Sequence, residues 1–293
     1  MGTVHGVYLK YVGISALSFA GYSMLVRGDD GTKISLAELI GYGSRTLMAA
    51  SGRALTEQAP SLALWKIVPA LILGYSTLLN GVIAALFKME IGMAMLGKNR
   101  KTGQIPLWSY VLFFPFHLPT LLYTHIHTLH STHKVEKDGK TADEIVPVAT
   151  QIQPGWWVGG CYAHELDEDW AGVIDLTVEF PETCINRTTA YLSTPTWDGV
   201  PCTAEQLEEA ANFAVAANKT GGAVLVHCAH GRGRSTTVMC ACLVKAGLFR
   251  TWEEAFEKGI KPQRTVCKLN RRMKQALTEW QETYMEERGK KGQ

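Results

Sequence analysis

Ten consecutive residues hold the densest chemistry in this chain: His227-Cys228-Ala229-His230-Gly231-Arg232-Gly233-Arg234-Ser235-Thr236. A thiol stands near the start, glycines interrupt the run, and arginines and hydroxyls close it. Gly231 and Gly233 allow backbone angles that side chains forbid, so the chain can curl. The N–H groups of Ala229, His230, Gly231, Arg232, Gly233 and Arg234 can then converge on one point, and such a point binds an oxyanion. Arg234 adds a planar fork for two phosphate oxygens. A thiolate at Cys228 faces the same donors and would form below the ordinary thiol pKa of about 8.5. Cys228 is therefore a nucleophile toward a phosphate monoester, with a cysteinyl-phosphate as intermediate, and the departing oxygen needs a proton from a nearby acid. Ser235 is placed to hydrogen-bond the thiolate and help it leave in the second step. The bland alternative, a buried structural cysteine, makes the arginine, both glycines and the flanking elements coincidental.

A cradle of this kind needs a strand to deliver it and a helix to receive the anion. Val224-Leu225-Val226, directly before the run, suits a buried parallel strand, and Thr237 to Val244, directly after it, is an apolar run opened by a threonine. Ala171 to Leu176 is a second strand-like run. Thr203 with Gln206, and Thr251 with Glu254, have the spacing of a capping box at a helix start. The alternation of strand and helix predicts an α/β domain with a central sheet flanked by helices.

The pattern H-C-x5-R-[ST] resembles the signature of the protein tyrosine phosphatase superfamily, most closely its dual-specificity branch. The fuller pattern H-C-x-x-G-x-x-R-[ST] is expected by chance in a chain of this length on the order of once in ten thousand. The resemblance covers about residues 145 to 285, with Gln153 to Gly160 and Val173 to Leu176 as strands. It implies a phosphoric monoester hydrolase that uses no metal and no cofactor. It also implies a general acid on a loop upstream of the cysteine, and Asp198, in Thr196-Trp197-Asp198-Gly199-Val200-Pro201, lies 30 residues before Cys228. Asp198 would protonate the leaving group and later activate water; otherwise it is a turn aspartate ahead of a glycine. Asp175, inside an apolar strand, is the lesser candidate. Lys261, Arg264 and Asn270 fall where such enzymes place residues near the pocket mouth, although a solvated basic face accounts for them as well.

The rest of the chain is a different material. Over 293 residues, 29 Lys+Arg stand against 27 Asp+Glu, a net charge of +2, too small a balance to hold nucleic acid by its field. Residues 1–133 carry only 10 basic and 5 acidic groups, whereas 134–293 carry 19 and 22. This divides the chain into a hydrophobic, membrane-embedded helical region (1–133), a polar linker (134–144) and the catalytic domain (145–293). Three stretches carry the hydropathy: 11–26, 67–87 and 105–124. The middle one has 21 residues without a charge, enough to cross about 30 Å of hydrocarbon, although Pro69, Ser76, Thr77 and Asn80 weaken it. The third is interrupted by Pro115 and Pro119, and could span, bend back or lie flat. His127, His130 and His133 recur at three-residue steps and read as imidazoles at the end of a membrane segment, because no acidic or cysteine ligand is near enough in sequence to make a metal site. All seven cysteines follow residue 160, in an odd number and without C-x-x-C pairs, which points to a reducing, cytosolic face.

The expected protein is thus a membrane-associated cysteine phosphatase acting on phosphotyrosine, phosphoserine or phosphothreonine proteins. His230 and Arg232 add basic groups beyond what a phosphate needs, and a membrane anchor would bring lipid headgroups close, so a phosphoinositide or phosphatidylglycerophosphate-type substrate is the rival reading. A membrane-bound scaffold that binds phosphate without turnover would have no use for Cys228, Arg234 and Asp198 together. A rhodanese-type sulfur transferase would not need Asp198.

Overall fold

The computed structural model describes residues 4–27, 64–137 and 140–286. The chain divides into two compact units, Tyr8–Lys88 and a larger one formed chiefly by Met89–Gln293. The larger unit begins well before the expected boundary at residue 133.

In the smaller unit, helix α1 is Val4–Leu25 and helix α2 is Leu64–Met89. Lys66–Met89 is the one helix among the described residues long and apolar enough to cross a bilayer, by length and composition. Its polar residues have partners in or beside it. The Ser18 and Ser76 hydroxyls lie 2.9 Å apart, Ser15 donates to the Thr77 carbonyl at 2.8 Å, and Asn80 donates to the Ser76 carbonyl at 2.9 Å. Small hydroxyl residues joining two apolar helices in this way offset the penalty those groups would otherwise carry in hydrocarbon.

The larger unit opens with an irregular segment and two short helices, α3 (Leu107–Leu112) and α4 (Phe114–His130). The break between them falls at Phe113, with Pro115 in the first turn of α4, where its missing N–H costs nothing. The third hydrophobic stretch is therefore not a continuous helix, and Phe116, His117 and Thr124 of α4 are buried. Residues expected as a linker form instead an antiparallel hairpin, β1 (Thr132–Lys137) with β2 (Lys140–Ile145), in which His133 pairs with Glu144 and Lys134 with Asp143. A polar sequence satisfies its backbone by pairing two strands as readily as by solvation, and the opposite charges of Lys134 and Asp143 across this pair support that outcome.

The central sheet has five strands in the order β3-β4-β7-β5-β6. They are Ala149–Gln153, Trp156–Gly159, Ala223–His227, Trp170–Thr177 and Thr188–Thr196 respectively. Only β3 runs antiparallel to its neighbour. In β5 and β7 successive side chains face opposite ways. Ile174, Leu176, Val224 and Val226 enter a core shared with helices α5 (Ala204–Asn218), α6 (Arg234–Lys245) and α8 (Arg271–Gln281). Val173 and Leu225 enter a smaller core on the other face with Trp170 and Cys184. Burial on both faces is what makes these strands continuously apolar. Thr203 and Gln206 close the full capping box of α5. At the short α7 (Trp252–Glu254) only half the box forms, since the Glu254 carboxylate accepts from the Arg250 N–H.

Candidate active site

The central strand β7 ends at His227, and residues 228–233 curl into a loop that feeds α6. Gly231 has φ of +64°, and a Cβ there would sit 2.6 Å from the Gly159 carbonyl carbon, so only glycine fits this turn. Five of the six carbonyls of the loop, those of residues 229–233, are held from outside it. Ala229 O accepts from the Cys161 N–H (3.2 Å), His230 O and Gly231 O from Arg264 (3.2 and 2.9 Å), Arg232 O from the Lys268 N–H (2.8 Å), and Gly233 O from the Thr237 N–H (2.9 Å). Carbonyl and N–H vectors of a tight loop point in opposite senses, so this outward pull leaves the N–H groups facing the centre. Gly233 caps α6 without a side chain, so the N-terminal amides of that helix stay available to an anion.

Cys228 lies at the base of the loop, buried, with its sulfur 3.4 Å from the Ser235 hydroxyl. Burial opposes ionisation, but the charge of Arg234, the Ser235 hydroxyl and the Ser235 and Arg232 N–H groups outweigh it. Together they hold the thiol below its ordinary pKa. The cysteines Cys161, Cys184, Cys202, Cys242 and Cys267 are pushed the other way, in each case chiefly by burial.

Arg234 is oriented by Glu179, a residue the sequence reading did not single out. Glu179 accepts from Nη2 at 2.6 Å and from Nη1 at 3.2 Å, while the carbonyls of Thr196 and Leu176 accept from Nη1 at 2.7 and 3.1 Å. One end of the guanidinium is thus occupied. Nε has no hydrogen-bond partner, so the side-on fork, Nε–H with the outer Nη2–H, is left open to an anion. Asp198 stands beside it, with Oδ1 3.8 Å from Nε and a side chain 42% exposed, open to a leaving group arriving from solvent. Its loop is fixed on both sides. Trp197 is fully buried, donates from Nε1 to the Ile91 carbonyl at 2.7 Å and stacks edge-on against Phe116 at 6.2 Å. Asn270 donates to the Gly199 carbonyl at 2.9 Å.

Beneath the loop lies a buried ionic network. Lys98 pairs with Asp175 and donates to the Thr177 carbonyl and hydroxyl, each at 2.8 Å. Tyr191 donates to Asp175 at 2.9 Å, and His227 Nε2 meets Glu182 at 2.7 Å. Burial alone would lower the imidazole's pKa, but the Glu182 and Asp175 carboxylates hold it up at about 9. Burial would likewise raise Asp175, but Lys98 and His227 bring it down to about 2. An aspartate held ionised this firmly, under the loop rather than at its mouth, is a structural anion and not a proton donor. The ligand atoms of Asp175, Glu182 and His227 lie within 4.8 Å of one another; the Lys98 ammonium already sits against that group.

Two readings of the sequence need correction. Arg264 is not on a solvated face: it is buried, and besides holding His230 O and Gly231 O it donates to the Pro147 carbonyl and the Thr150 hydroxyl, at 2.9 and 2.8 Å. His230 adds no charge to the loop, because burial, and after it the neighbouring His127 and Arg232, lower its pKa to about 3. Arg232 turns its guanidinium to the Ser131 hydroxyl. The three histidines His127, His130 and His133 take separate partners: the His230 ring, the Ile126 carbonyl and the Thr265 hydroxyl.

Residues 169–283 match the profile of the dual specificity phosphatase catalytic domain. That stretch is the catalytic domain of a phosphoric monoester hydrolase of the dual-specificity type, and it contains the cradle, Asp198, Glu179 and Arg264. Among solved structures, human DUSP28 is similar at 23% identity with a TM-score of 0.42, covering 48% of this chain and 97% of that one. PTPMT1 in complex with PI(5)P is similar at 24% identity with a TM-score of 0.40, covering 46% and 96%. The human tyrosine phosphatase-like serine/threonine/tyrosine-interacting protein is similar at 18% identity with a TM-score of 0.40, covering 47% and 97%. No curated protein matches the chain.

Proposed function

We propose that the protein is a membrane-associated, cysteine-dependent phosphatase that works through the cradle at residues 228–235. The Cys228 thiolate attacks phosphorus; the S–P bond forms as the P–O bond to the leaving group breaks, and Asp198 in its acid form delivers its proton to that oxygen. The inward N–H groups and the side-on fork of Arg234 take the charge on the equatorial oxygens. In the second step Asp198, now a carboxylate, takes a proton from water as its oxygen bonds to phosphorus. The S–P bond breaks, and the Ser235 hydroxyl hydrogen-bonds the departing thiolate. No resident metal or cofactor is assigned a role.

The observation that carries this reading is the pairing of a thiol held below its ordinary pKa with five loop carbonyls all anchored outward. A pure phosphate-binding scaffold needs the second feature and not the first. Phosphorylated tyrosine, serine and threonine side chains suit such a cradle. One observation favours a second reading, a phosphoinositide or phosphatidylglycerophosphate-type headgroup: α2, long and apolar enough to cross a bilayer, leads directly through Met89 into the catalytic unit. Phosphate release by the full chain from an aryl phosphate, a phosphopeptide panel and phosphoinositide vesicles tests both readings. Loss of all three activities in Cys228→Ser, with inorganic phosphate still bound, is the expected result. Undiminished turnover in that variant would overturn the mechanism.

A further inference from the structure

Helices α3 and α4 present a surface that the catalytic chemistry does not use. Residues 102–133 contain no Asp, Glu, Lys or Arg, yet they belong to the larger, charge-rich unit. On α4 the residues turned into that unit are Pro115, Phe116, His117 and Thr124, while Leu118, Leu122, Ile126 and Leu129 recur at helical spacing on the opposite side. Leu107 and Val111 of α3 continue the patch. Exposures of 77% at Leu107, 69% at Val111, 65% at Leu118 and 57% at Leu122 show that nothing among the described residues covers these side chains. An apolar surface of this extent on a folded domain marks a contact with something else.

The surroundings of the patch select what that is. A protein interface has a polar, charged rim around its apolar centre, whereas here the stretch from 102 to 133 runs without a charge. Arg100 and Lys101 are exposed before it, whereas Lys134 after it stands opposite Asp143 across the hairpin, so the cationic end is the one at Arg100 and Lys101. Cations beyond an apolar stripe are complementary to the anionic headgroups above an acyl layer. Trp108, half exposed, has the amphipathic ring favoured at that depth. Crossing the bilayer is not open to this pair: α4 has 17 residues, about 26 Å at helical rise, and one side of it is packed into protein.

We infer that the α3–α4 face is a bilayer-docking surface that lies in the headgroup layer and holds the mouth of the phosphate cradle against it. The helix that docks is also a wall of the site. Tyr123 and His127, on its flank, meet the ring of His230 edge-on at 5.9 and 4.5 Å between centroids, and the residue that follows the helix, Ser131, receives the Arg232 guanidinium. A phosphate ester carried at the membrane surface would then meet the cradle without leaving the interface. The inference rests on the proposed membrane association and specifies where the catalytic unit makes it.

The test uses the full chain in the Cys228→Ser background, so that the nucleophile does not take up label. Leu122→Cys carries a bimane fluorophore, and Lys219→Cys, exposed on the far end of α5, serves as control. Both are mixed with vesicles of mixed zwitterionic and anionic lipid containing brominated acyl chains. Insertion to about 5–10 Å should quench the label at 122 by roughly half or more and leave that at 219 unchanged. In the otherwise native chain, Leu118→Glu with Leu122→Glu should keep full activity on a soluble aryl phosphate. In the labelled background the same charge at 118 should abolish quenching at 122. A chain that floats with vesicles while position 122 stays unquenched would overturn the docking surface and leave the membrane reading standing, as would capture of the face by a soluble partner. A chain that does not float at all would overturn both.

Discussion

Glu179→Gln isolates the part of the site that was hardest to anticipate. The substitution keeps the shape of the side chain but removes its charge, and a single amide oxygen can accept only one of the two N–H groups now held at 2.6 and 3.2 Å. The amide nitrogen would face the other as donor against donor. Breaking a buried ion pair from one side costs about 3–5 kcal/mol of stability, so the melting temperature falls. The sharper consequence is for phosphate. With its far end no longer fixed, the guanidinium loses the orientation that presents Nε–H and Nη2–H together, and one charge-assisted hydrogen bond to the phosphoryl group is lost, about 1.5–3 kcal/mol. At about 1.4 kcal/mol per factor of ten, kcat/KM should fall roughly tenfold to a hundredfold, and the inhibition constant of inorganic phosphate should rise to match. Steady-state kinetics on an aryl phosphate with phosphate as competitor reads both, with near-ultraviolet circular dichroism to establish that the variant is folded. A folded Glu179→Gln protein with native kcat/KM and native phosphate inhibition would refute the view that Glu179 aims Arg234.

Three further outcomes follow from the geometry. Ser235→Ala removes one stabiliser of the thiolate, so the thiol pKa rises and the acid limb of the kcat/KM profile moves up by about 0.7 pH unit, the equivalent of one hydrogen bond of about 1 kcal/mol; an unmoved limb would contradict the assignment. Arg264→Met leaves the His230 and Gly231 carbonyls without their donor, and should cost at least about 3 kcal/mol and weaken phosphate inhibition; weaker stability with native phosphate affinity would show that Arg264 only supports the fold. His227 has a folded-state pKa of about 9 against about 6.5 unfolded, so its stabilisation is complete below the lower value and is lost as pH rises through the higher one. Thermal melts across that window should show a decline that disappears in His227→Gln, and an equal decline in both proteins would remove His227 as its source.

The parts of the site legible in the sequence are those whose neighbours in space are neighbours in the chain. Cys228, Gly231, Arg234 and Ser235 sit within eight residues of one another, and the strand before them and helix after them announce themselves by apolar runs. Asp198 was reached through the resemblance and not through its own surroundings. What the sequence hid is what arrives from a distance. Glu179 is 55 positions from Arg234, Arg264 is 33 from Gly231, and Lys98 is 77 from Asp175. Two of the three have a faint local trace: Glu179 is a carboxylate at the end of Leu176-Thr177-Val178, and Arg264 is an arginine in a turn-rich stretch. Nothing in composition says which carbonyl an arginine will hold. The charge of His230 is hidden for the same reason, because it depends first on burial and then on His127, which is distant in sequence.

Lys98 has a consequence for the portability of this domain. It lies outside the family outline at 169–283 and outside the catalytic region anticipated from residue 145, yet its ammonium is the counter-charge of a fully buried aspartate under the catalytic loop. Ile91 and Phe116, also outside, hold Trp197 next to the acid. A piece of the chain cut at either boundary would take the nearest cation from Asp175 and leave His227 to serve both it and Glu182, a loss of up to about 3–5 kcal/mol from a total that is ordinarily only about 5–15 kcal/mol. In this protein the phosphatase domain has grown a root into the sequence ahead of it, and transplanting the domain without that root would move the catalytic residues but not the foundation that keeps them in place.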